Sequence, residues 1–113
     1  MSCLFCKIVR REVPASIVYE DDRVLAFNDI NPQAPTHVLV IPKRHIETLN
    51  DLTPDDDQIV GELSRRAAAI AAERGIAAGG YRVVFNTNRD AGQTVSHIHL
   101  HLLGGRSMEW PPG

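Results

Sequence analysis

The most constraining feature of the sequence is a run near its C-terminus in which histidine alternates with aliphatic residues. Three of the five histidines fall within this run, His97-Ile98-His99-Leu100-His101-Leu102. Successive side chains of an extended strand point to opposite faces of a sheet. The pattern therefore predicts a strand over 96–103, with one face in the core and three imidazoles on the other.

Two kinds of chemistry fit three imidazoles on one face. A neutral imidazole with one nitrogen hydrogen-bonded is a nucleophile toward phosphorus or acyl carbon, and its neighbours can stabilise charge or move protons. Alternatively, a His-x-His pair on a strand can chelate a divalent metal ion, together with a nearby carboxylate or cysteine. The first acidic residue after the run is Glu109, beyond the strand. This favours His99 as a nucleophile over a simple metal triad.

The polar loop before this strand is suited to binding phosphate oxygens. Ala91-Gly92-Gln93-Thr94 offers backbone N–H groups, an amide and a hydroxyl directly ahead of the histidines, and such donors are typical of anion sites. The same loop also suits an ordinary hairpin. Asn86, at the end of the preceding predicted strand, is either a further polar contact or a turn residue.

The rest of the chain predicts a small α+β fold. A short helix is expected over 5–11, and a long helix is expected to begin at Thr53, with Pro54 in its first turn, and to stop at Gly75. Residues 88–94 are expected to form a loop. The predicted strands are 17–20, 23–28, 36–41, 81–87 and 96–103. This order predicts a five-stranded antiparallel sheet with its helices on one face, in one domain over 1–113 whose residues 104–113 form an irregular tail.

Composition narrows the classes of function. A chain of 113 residues suffices for one domain with a modest core, and a net charge of −2 leaves no basic stripe for double-stranded nucleic acid. No stretch has the length and apolarity of a membrane span, and the first residues lack a signal-peptide pattern. Two cysteines do not make a disulfide framework, so we expect a cytoplasmic protein.

The segment 97–103 resembles the His-φ-His-φ-His-φ-φ signature (φ is an apolar residue) of the histidine triad, or HIT, superfamily. The similarity extends over nearly the whole chain. It includes Phe5-Cys6-Lys7-Ile8-Val9, Ala26-Phe27-Asn28-Asp29-Ile30, the segment 32–43, Ala91-Gly92-Gln93-Thr94-Val95 and the ending Trp110-Pro111-Pro112-Gly113. That ending resembles the Hint branch, the purine nucleoside phosphoramidases.

This resemblance implies an assembly and a mechanism. It implies a homodimer in which two five-stranded sheets join into a continuous ten-stranded sheet, with a nucleoside monophosphate pocket on each subunit. It also implies that His99 attacks the α-phosphorus of the substrate and forms a nucleotidyl-histidine, which water then hydrolyses. No cofactor is expected for this catalysis.

The resemblance further implies roles for individual residues. His101 and the Gly92-Gln93-Thr94 loop would contact phosphate oxygens, the carbonyl of His97 would hold the tautomer of His99, and His37 would lie behind them. The other expected nucleotide contacts are Asp29 and Ile30 at the ribose, Leu4, Phe5, Ile8 and Phe27 around the base, Asn86 near the loop, and Trp110 reaching across the dimer. Thr94 and Asn28 stand where many Hint proteins have serine and histidine, and the second departure bears on purine preference.

Cys3-Leu4-Phe5-Cys6 has the spacing of half a zinc site. From spacing alone, the pair is equally well two reduced thiols near the N-terminus. The resemblance to bacterial HIT proteins and related uridylyltransferases implies that His45 and His97 complete a Cys2His2 set. Such a set would hold a structural zinc ion and, with four protein ligands, would leave no open position on the metal.

The leading hypothesis is thus a nucleoside phosphoramidase that cleaves the P–N bond of AMP or GMP amidates. Three alternatives stay open: a dinucleoside polyphosphate hydrolase with the same nucleophile, a nucleotide-binding scaffold that acts through protein partners, and a metal-dependent hydrolase. A scaffold should tolerate His99→Ala, and a metal-dependent enzyme should lose turnover in a chelator.

Overall fold

A five-stranded antiparallel sheet forms the centre of the protein, in agreement with the sequence prediction. The computed structural model describes residues 3–113, and the strands lie in the order β1-β2-β3-β5-β4. The strands are β1 Ile17–Glu20, β2 Val24–Asn28, β3 Thr36–Pro42, β4 Tyr81–Phe85 and β5 Leu100–Gly104, and the helices are α1 Leu4–Val9, α2 Asp57–Glu73 and α3 Asn88–Ala91.

The two faces of the sheet carry separate apolar clusters. On one face, alternate residues of the central strands, such as Val38 and Leu102, pack with the buried side chains of α2. On the other face, Leu25 and Phe27 pack with Phe5 and Ile8 of α1. The helices therefore cover both faces, and the expectation of helices on one face was wrong. Because both sides are covered, every residue of β3 is buried.

The histidine segment differs from its prediction at its start. β5 begins at Leu100 rather than at residue 96, because its partner β3 ends at Pro42, whose nitrogen has no hydrogen to donate to a ladder. The segment before Leu100 is held instead by a 2.7 Å hydrogen bond from the N–H of Ile98 to the carbonyl of Ile46. The predicted alternation survives, because Ile98, Leu100 and Leu102 all lie in the cluster facing α2.

Several element boundaries differ for local reasons. α1 begins at Leu4 because the Cys3 thiol accepts a hydrogen bond from the N–H of Cys6, and Arg11, with φ +65°, lies beyond its end. The α-helical part of α2 begins only at Asp57, after a 3-10 turn over Pro54–Asp56. The predicted stop at Gly75 is confirmed, with φ +73°.

The second half of the chain carries three further corrections. β4 ends at Phe85, two residues before the predicted end at residue 87. The expected loop over 88–94 contains the short helix α3, which ends at Gly92 in the left-handed conformation. Gly104 is the last residue of β5, so the irregular tail begins at residue 105. Within residues 3–113, no helix has the length and apolarity needed to cross a membrane.

Candidate functional site

A cleft of ≈ 270 Å³ opens on the α1 side of the sheet, next to the histidines. Its apolar wall comes from α1 and β2, and its polar end from the start of the loop after β2 and from the histidine segment. Nine of the residues proposed for the site line this cleft: Leu4, Phe5, Ile8, Phe27, Asp29, Ile30, Thr94, His99 and His101. An apolar slot with an acid at one end and imidazoles at the other suits a ligand with a flat ring and a polar tail.

His99 is held in one tautomer by its own chain. Its Nδ1 lies 2.8 Å from the carbonyl oxygen of His97, and a carbonyl can only accept, so the hydrogen of the neutral ring is on Nδ1. The ring of Phe5 packs edge-on against it at 5.1 Å between centroids. Burial lowers the pKa of His99, although the Asp29 carboxylate opposes this. The neutral ring therefore keeps a lone pair on Nε2, as a nucleophile requires.

His101 is held in the opposite tautomer through His37. The backbone N–H of Gln33 donates to Nδ1 of His37 at 3.0 Å, so the hydrogen of neutral His37 is on Nε2. That Nε2 lies 2.9 Å from Nδ1 of His101, which accepts the hydrogen bond, and the hydrogen of His101 is therefore on its own Nε2. The site thus combines a lone pair on His99 with an N–H donor on His101.

The electrostatic surroundings keep these rings neutral. Burial lowers the pKa of His101 to about 4, and the neighbouring His99 and His37 rings add to this effect. Burial also lowers the pKa of His37, while the Asp29 carboxylate, 3.4 Å from its Nε2, raises it. A neutral His101 can donate one hydrogen bond to an anionic oxygen without carrying a charge of its own.

Asp29, His37 and His101 also lie close enough together to suggest a metal site, since their ligand atoms fall within 4.8 Å of one another. The hydrogen-bond pattern argues against this assignment. The Gln33 N–H occupies Nδ1 of His37, so the nitrogen that faces the other two groups carries a hydrogen and has no lone pair for a metal. This set is a hydrogen-bonded chain, which weighs against a metal-dependent hydrolase.

Cys3, Cys6, His45 and His97 form a second cluster, next to the cleft. Nδ1 of His97 lies 3.5 Å and 3.7 Å from the two thiols and 3.2 Å from Nδ1 of His45, which is 3.4 Å from the Cys6 thiol. Tetrahedral zinc with Zn–S near 2.3 Å and Zn–N near 2.0–2.1 Å requires ligand separations of about 3.3–3.8 Å. The donor set and its dimensions therefore fit zinc.

The tautomer of His97 also fits a metal ligand. Its Nε2 lies 2.8 Å from the carbonyl oxygen of Pro42, so the ring hydrogen is on Nε2 and the lone pair of Nδ1 faces the thiols and His45. A ligating histidine commonly donates its other N–H to a carbonyl in this way. Burial lowers the pKa of His97 to about 4, which keeps that lone pair available.

His37 and His97 lie behind the histidines that line the cleft. Four of the expected nucleotide contacts also lie outside its wall in the described chain: Asn86, Gly92, Gln93 and Trp110. The side-chain amide of Gln93 is engaged elsewhere, because it donates to the carbonyls of Glu47 and Val95 and accepts from the N–H of Asn88. Gly92 supplies the left-handed turn that ends α3. Trp110 is 81% exposed.

Several cleft residues were not expected from the sequence. They are Val13, Pro14, Ala15, Leu39 and Val95, and Asn28 appeared only as a departure from the family pattern. Leu39 could have been found from strand pairing, because it lies directly opposite His101 in the register of β3 and β5. The role of the Gln33 N–H had no signal in the sequence, since it is a backbone group of a loop.

The buried His101 provides a first prediction. In the folded protein its ring should take up a proton only near pH 4, because burial opposes the charge, whereas in the unfolded chain it does so near pH 6.5. As the pH falls from 6.5 towards 4 the unfolded state therefore binds the extra proton, and His101 reduces the free energy of unfolding in that window. NMR titration of its ring signals measures this, and a midpoint at pH 6 or above would contradict it.

Comparison with known proteins identifies the family. The family model of the HIT domain matches residues 10–108. A purine nucleoside phosphoramidase of Escherichia coli is 55% identical over 105 residues, covering 93% of this chain and 88% of the relative.

The crystal structure of a HIT family hydrolase from Legionella pneumophila superimposes with a TM-score of 0.98 at 56% identity, covering 99% of this chain and 100% of that one. A histidine triad protein from Clostridium difficile gives a TM-score of 0.93 at 47% identity, over 96% and 95% of the two chains. The chain therefore belongs to the HIT family.

Proposed function

We propose that the protein is a nucleotide-binding hydrolase that cleaves the P–N bond of nucleoside 5′-phosphoramidates, with His99 as the nucleophile. The observation that carries this proposal is the pair of opposite tautomers, in which Nε2 of His99 has a lone pair and Nε2 of His101 has a hydrogen. The activity of the E. coli relative, a purine nucleoside phosphoramidase at 55% identity, supports AMP and GMP amidates as the substrate class.

The cleft has a suitable partner for each part of such a substrate. Its apolar wall, formed by Leu4, Phe5, Ile8 and Phe27, suits a purine base. The Asp29 carboxylate suits the ribose hydroxyls, with Ile30 beside it, and His101 and Thr94 suit the phosphate oxygens. In this proposal Gly92 and Gln93 shape the loop before the histidine segment through backbone groups, and Asn86, directly after β4, is a further polar contact.

The reaction proceeds in two displacements. Nε2 of His99 forms a bond to the α-phosphorus, and the electron pair of the breaking P–N bond leaves on the amine, which takes a proton from water. The hydroxide that this water leaves then attacks the same phosphorus, and the bond to His99 breaks with its electron pair returning to Nε2. The net reaction consumes one water and releases a nucleoside monophosphate and an amine, while the N–H of His101 stabilises the anionic oxygens.

A direct test is the hydrolysis of an adenosine phosphoramidate with a fluorescent amine by wild type, His99→Ala and chelator-treated wild type. We expect release of the amine by both wild-type samples and a loss of at least about 10³-fold in His99→Ala, because removing a nucleophile leaves only binding and charge stabilisation. Equilibrium binding of AMP by His99→Ala serves as the control for an intact cleft.

Other outcomes of this test point to the alternatives. Turnover that survives His99→Ala would contradict the proposal. No release by wild type, with hydrolysis of dinucleoside polyphosphates instead, would point to the second substrate class. AMP binding with no turnover of either substrate would favour the nucleotide-binding scaffold.

We further propose that Cys3, Cys6, His45 and His97 hold a structural zinc ion. The support is the match of their separations to a zinc tetrahedron and the lone pair of His97 that faces the thiols. Four protein ligands leave no position for substrate, so the ion would join α1 to the histidine segment and take no part in the chemistry. Both cysteines are free thiols in the structure, so both are available as ligands.

Zinc binding predicts a specific stability effect. Cys6→Ser should lower the Tm by about 10 °C, because it removes one of the four protein ligands of a zinc ion that binds only the folded state. A chelator should lower the Tm of the wild type by a similar amount and should have little effect on the variant. Purified wild type with no zinc by elemental analysis, and a Tm that does not respond to the chelator, would contradict the assignment.

We also propose the homodimer, with β4 as the joining strand. β4 ends the sheet order, and it exposes 37% of Tyr81 and 44% of Val83. An edge strand with exposed apolar side chains is a template for pairing with another chain. A β4–β4 pairing would bring the tail of the partner copy, with its Trp110, towards the cleft.

The dimer is tested by sedimentation equilibrium. Val83→Lys should yield monomers, because a lysine on an edge strand blocks pairing. Ile17→Lys, on the opposite edge strand β1 and similarly exposed at 38%, is the matched control and should stay dimeric. A monomeric wild type, or a dimer lost only in Ile17→Lys, would contradict the assignment of β4.

A further inference from the structure

The first residues after β5 are fastened to the loop between β2 and β3. Gly104 pairs with Thr36 in the sheet register, and Gly105, with φ +91°, passes so close that an added Cβ would lie 2.9 Å from the Pro35 ring. Arg106 then donates from Nε to the carbonyl of Gln33 at 3.1 Å and from Nη1 to the carbonyl of Ser107 at 3.0 Å. The guanidinium therefore joins the tail to Gln33.

Gln33 is the residue whose backbone sets the hydrogen-bonded chain of the cleft. Its N–H donates to Nδ1 of His37 at 3.0 Å, and His37 donates to His101 at 2.9 Å. The side-chain amide of Gln33 also donates to the carbonyl of Asn31 at 3.0 Å. The hydrogen bond from Arg106 ties Gln33 to the tail after β5. A series of three hydrogen bonds, from Arg106 to Gln33, from Gln33 to His37 and from His37 to His101, therefore links the tail to the imidazole of His101.

We propose that Arg106 is a positioning residue for His101, an assignment that rests on the phosphoramidase function proposed above. By holding the carbonyl of Gln33, Arg106 keeps the N–H of the same residue aimed at Nδ1 of His37, and thereby keeps His101 as a hydrogen-bond donor towards the substrate phosphate. The tail thus contributes to the site within one subunit, separately from any contact made by Trp110.

The physical reason is the symmetry of an imidazole chain. Two neutral histidines that share one hydrogen bond can run in either direction, and only an external donor or acceptor at one end selects the direction. Here the Gln33 N–H, 3.0 Å from Nδ1 of His37, makes the direct selecting hydrogen bond, and the Asp29 carboxylate, 3.4 Å from Nε2 of the same ring, makes a weaker contact. When the loop rotates and this donor is lost, the reverse direction becomes accessible, and His101 then presents a lone pair to an anionic oxygen, which repels it.

The experiment compares Arg106→Ala, Arg106→Lys and Arg82→Ala. Arg82 is the matched control because it also donates to a tail carbonyl, that of Glu109 at 3.0 Å, but does not contact Gln33. The first measurement is the ¹⁵N NMR signature of the His37 and His101 rings in the substrate-free protein, which reports the tautomer directly. The second is kcat and KM for the adenosine phosphoramidate.

In Arg106→Ala we expect ring signals of mixed tautomers and a kcat lowered about tenfold with a smaller change in KM, the size expected for one lost positioning hydrogen bond. Arg106→Lys should restore part of both, because an ammonium can still donate to Gln33. Arg82→Ala should show wild-type ring signals. Each variant is first shown to keep a cooperative thermal transition, and Arg106→Met, which keeps a long side chain without a donor, serves as the test when Arg106→Ala does not fold.

Wild-type tautomers in folded Arg106→Ala or Arg106→Met, which have no donor for the Gln33 carbonyl, would overturn the proposal, whatever their turnover. Equal disturbance of the rings in Arg82→Ala would overturn it as well, because the effect would then belong to the tail as a whole. If the ring signals shift as expected and wild type does not hydrolyse the amidate, the positioning role stands and the phosphoramidase function fails.

Discussion

The 2.8 Å hydrogen bond from Nδ1 of His99 to the carbonyl of His97 is the contact on which the site depends. It decides which nitrogen of the buried ring has a lone pair, and it does so with a backbone group that cannot change its role. The side chain of the same His97 donates to Pro42 and turns its other nitrogen towards the two cysteines and His45. One residue thus links the nucleophile, the end of β3 and the thiol cluster.

The covering of both sheet faces explains why this chemistry is available to so small a protein. α2 buries one face and leaves the histidine face free of the main core. α1 then covers part of that second face, so that Phe5 packs both on Phe27 and against His99. The same contacts that exclude water from the core keep the imidazoles neutral and form the wall of the cleft. The short helix α1 therefore contributes both to the apolar packing and to the candidate site.

The parts of the fold that depend on periodicity could be predicted from the sequence. The five strands, the long helix and the alternation of histidine and aliphatic residues each follow from local patterns. Of the nine expected residues that line the cleft, His99, His101 and Thr94 follow from such patterns, and the other six follow only from the family resemblance. The start of β5 could not be predicted from its own residues, because it depends on the end of its partner strand at Pro42. The placement of α1 on the opposite face is likewise a tertiary outcome.

The direction of the hydrogen bonds from Gln33 through His37 to His101 could not be predicted from the sequence either. One end of this series is set by the backbone N–H of Gln33. Gln93, whose side-chain amide suits a phosphate, is instead engaged by the backbone groups of Asn88, Val95 and Glu47. A motif indicates which residue types are present, whereas their roles depend on where each donor and acceptor is already bonded.

The most direct measurement of the central claim is capture of the covalent intermediate. Wild type mixed with an adenosine phosphoramidate is quenched in base within one turnover, because a P–N bond to histidine survives alkali better than acid, and the peptides are analysed by mass spectrometry. We expect one nucleoside monophosphoryl group on the peptide that contains His99, localised to that ring by fragmentation. Turnover with the nucleoside monophosphoryl group on His101 or His37 would contradict the role of His99 as the nucleophile. Turnover with no modified peptide at any time of quench would contradict the covalent intermediate itself.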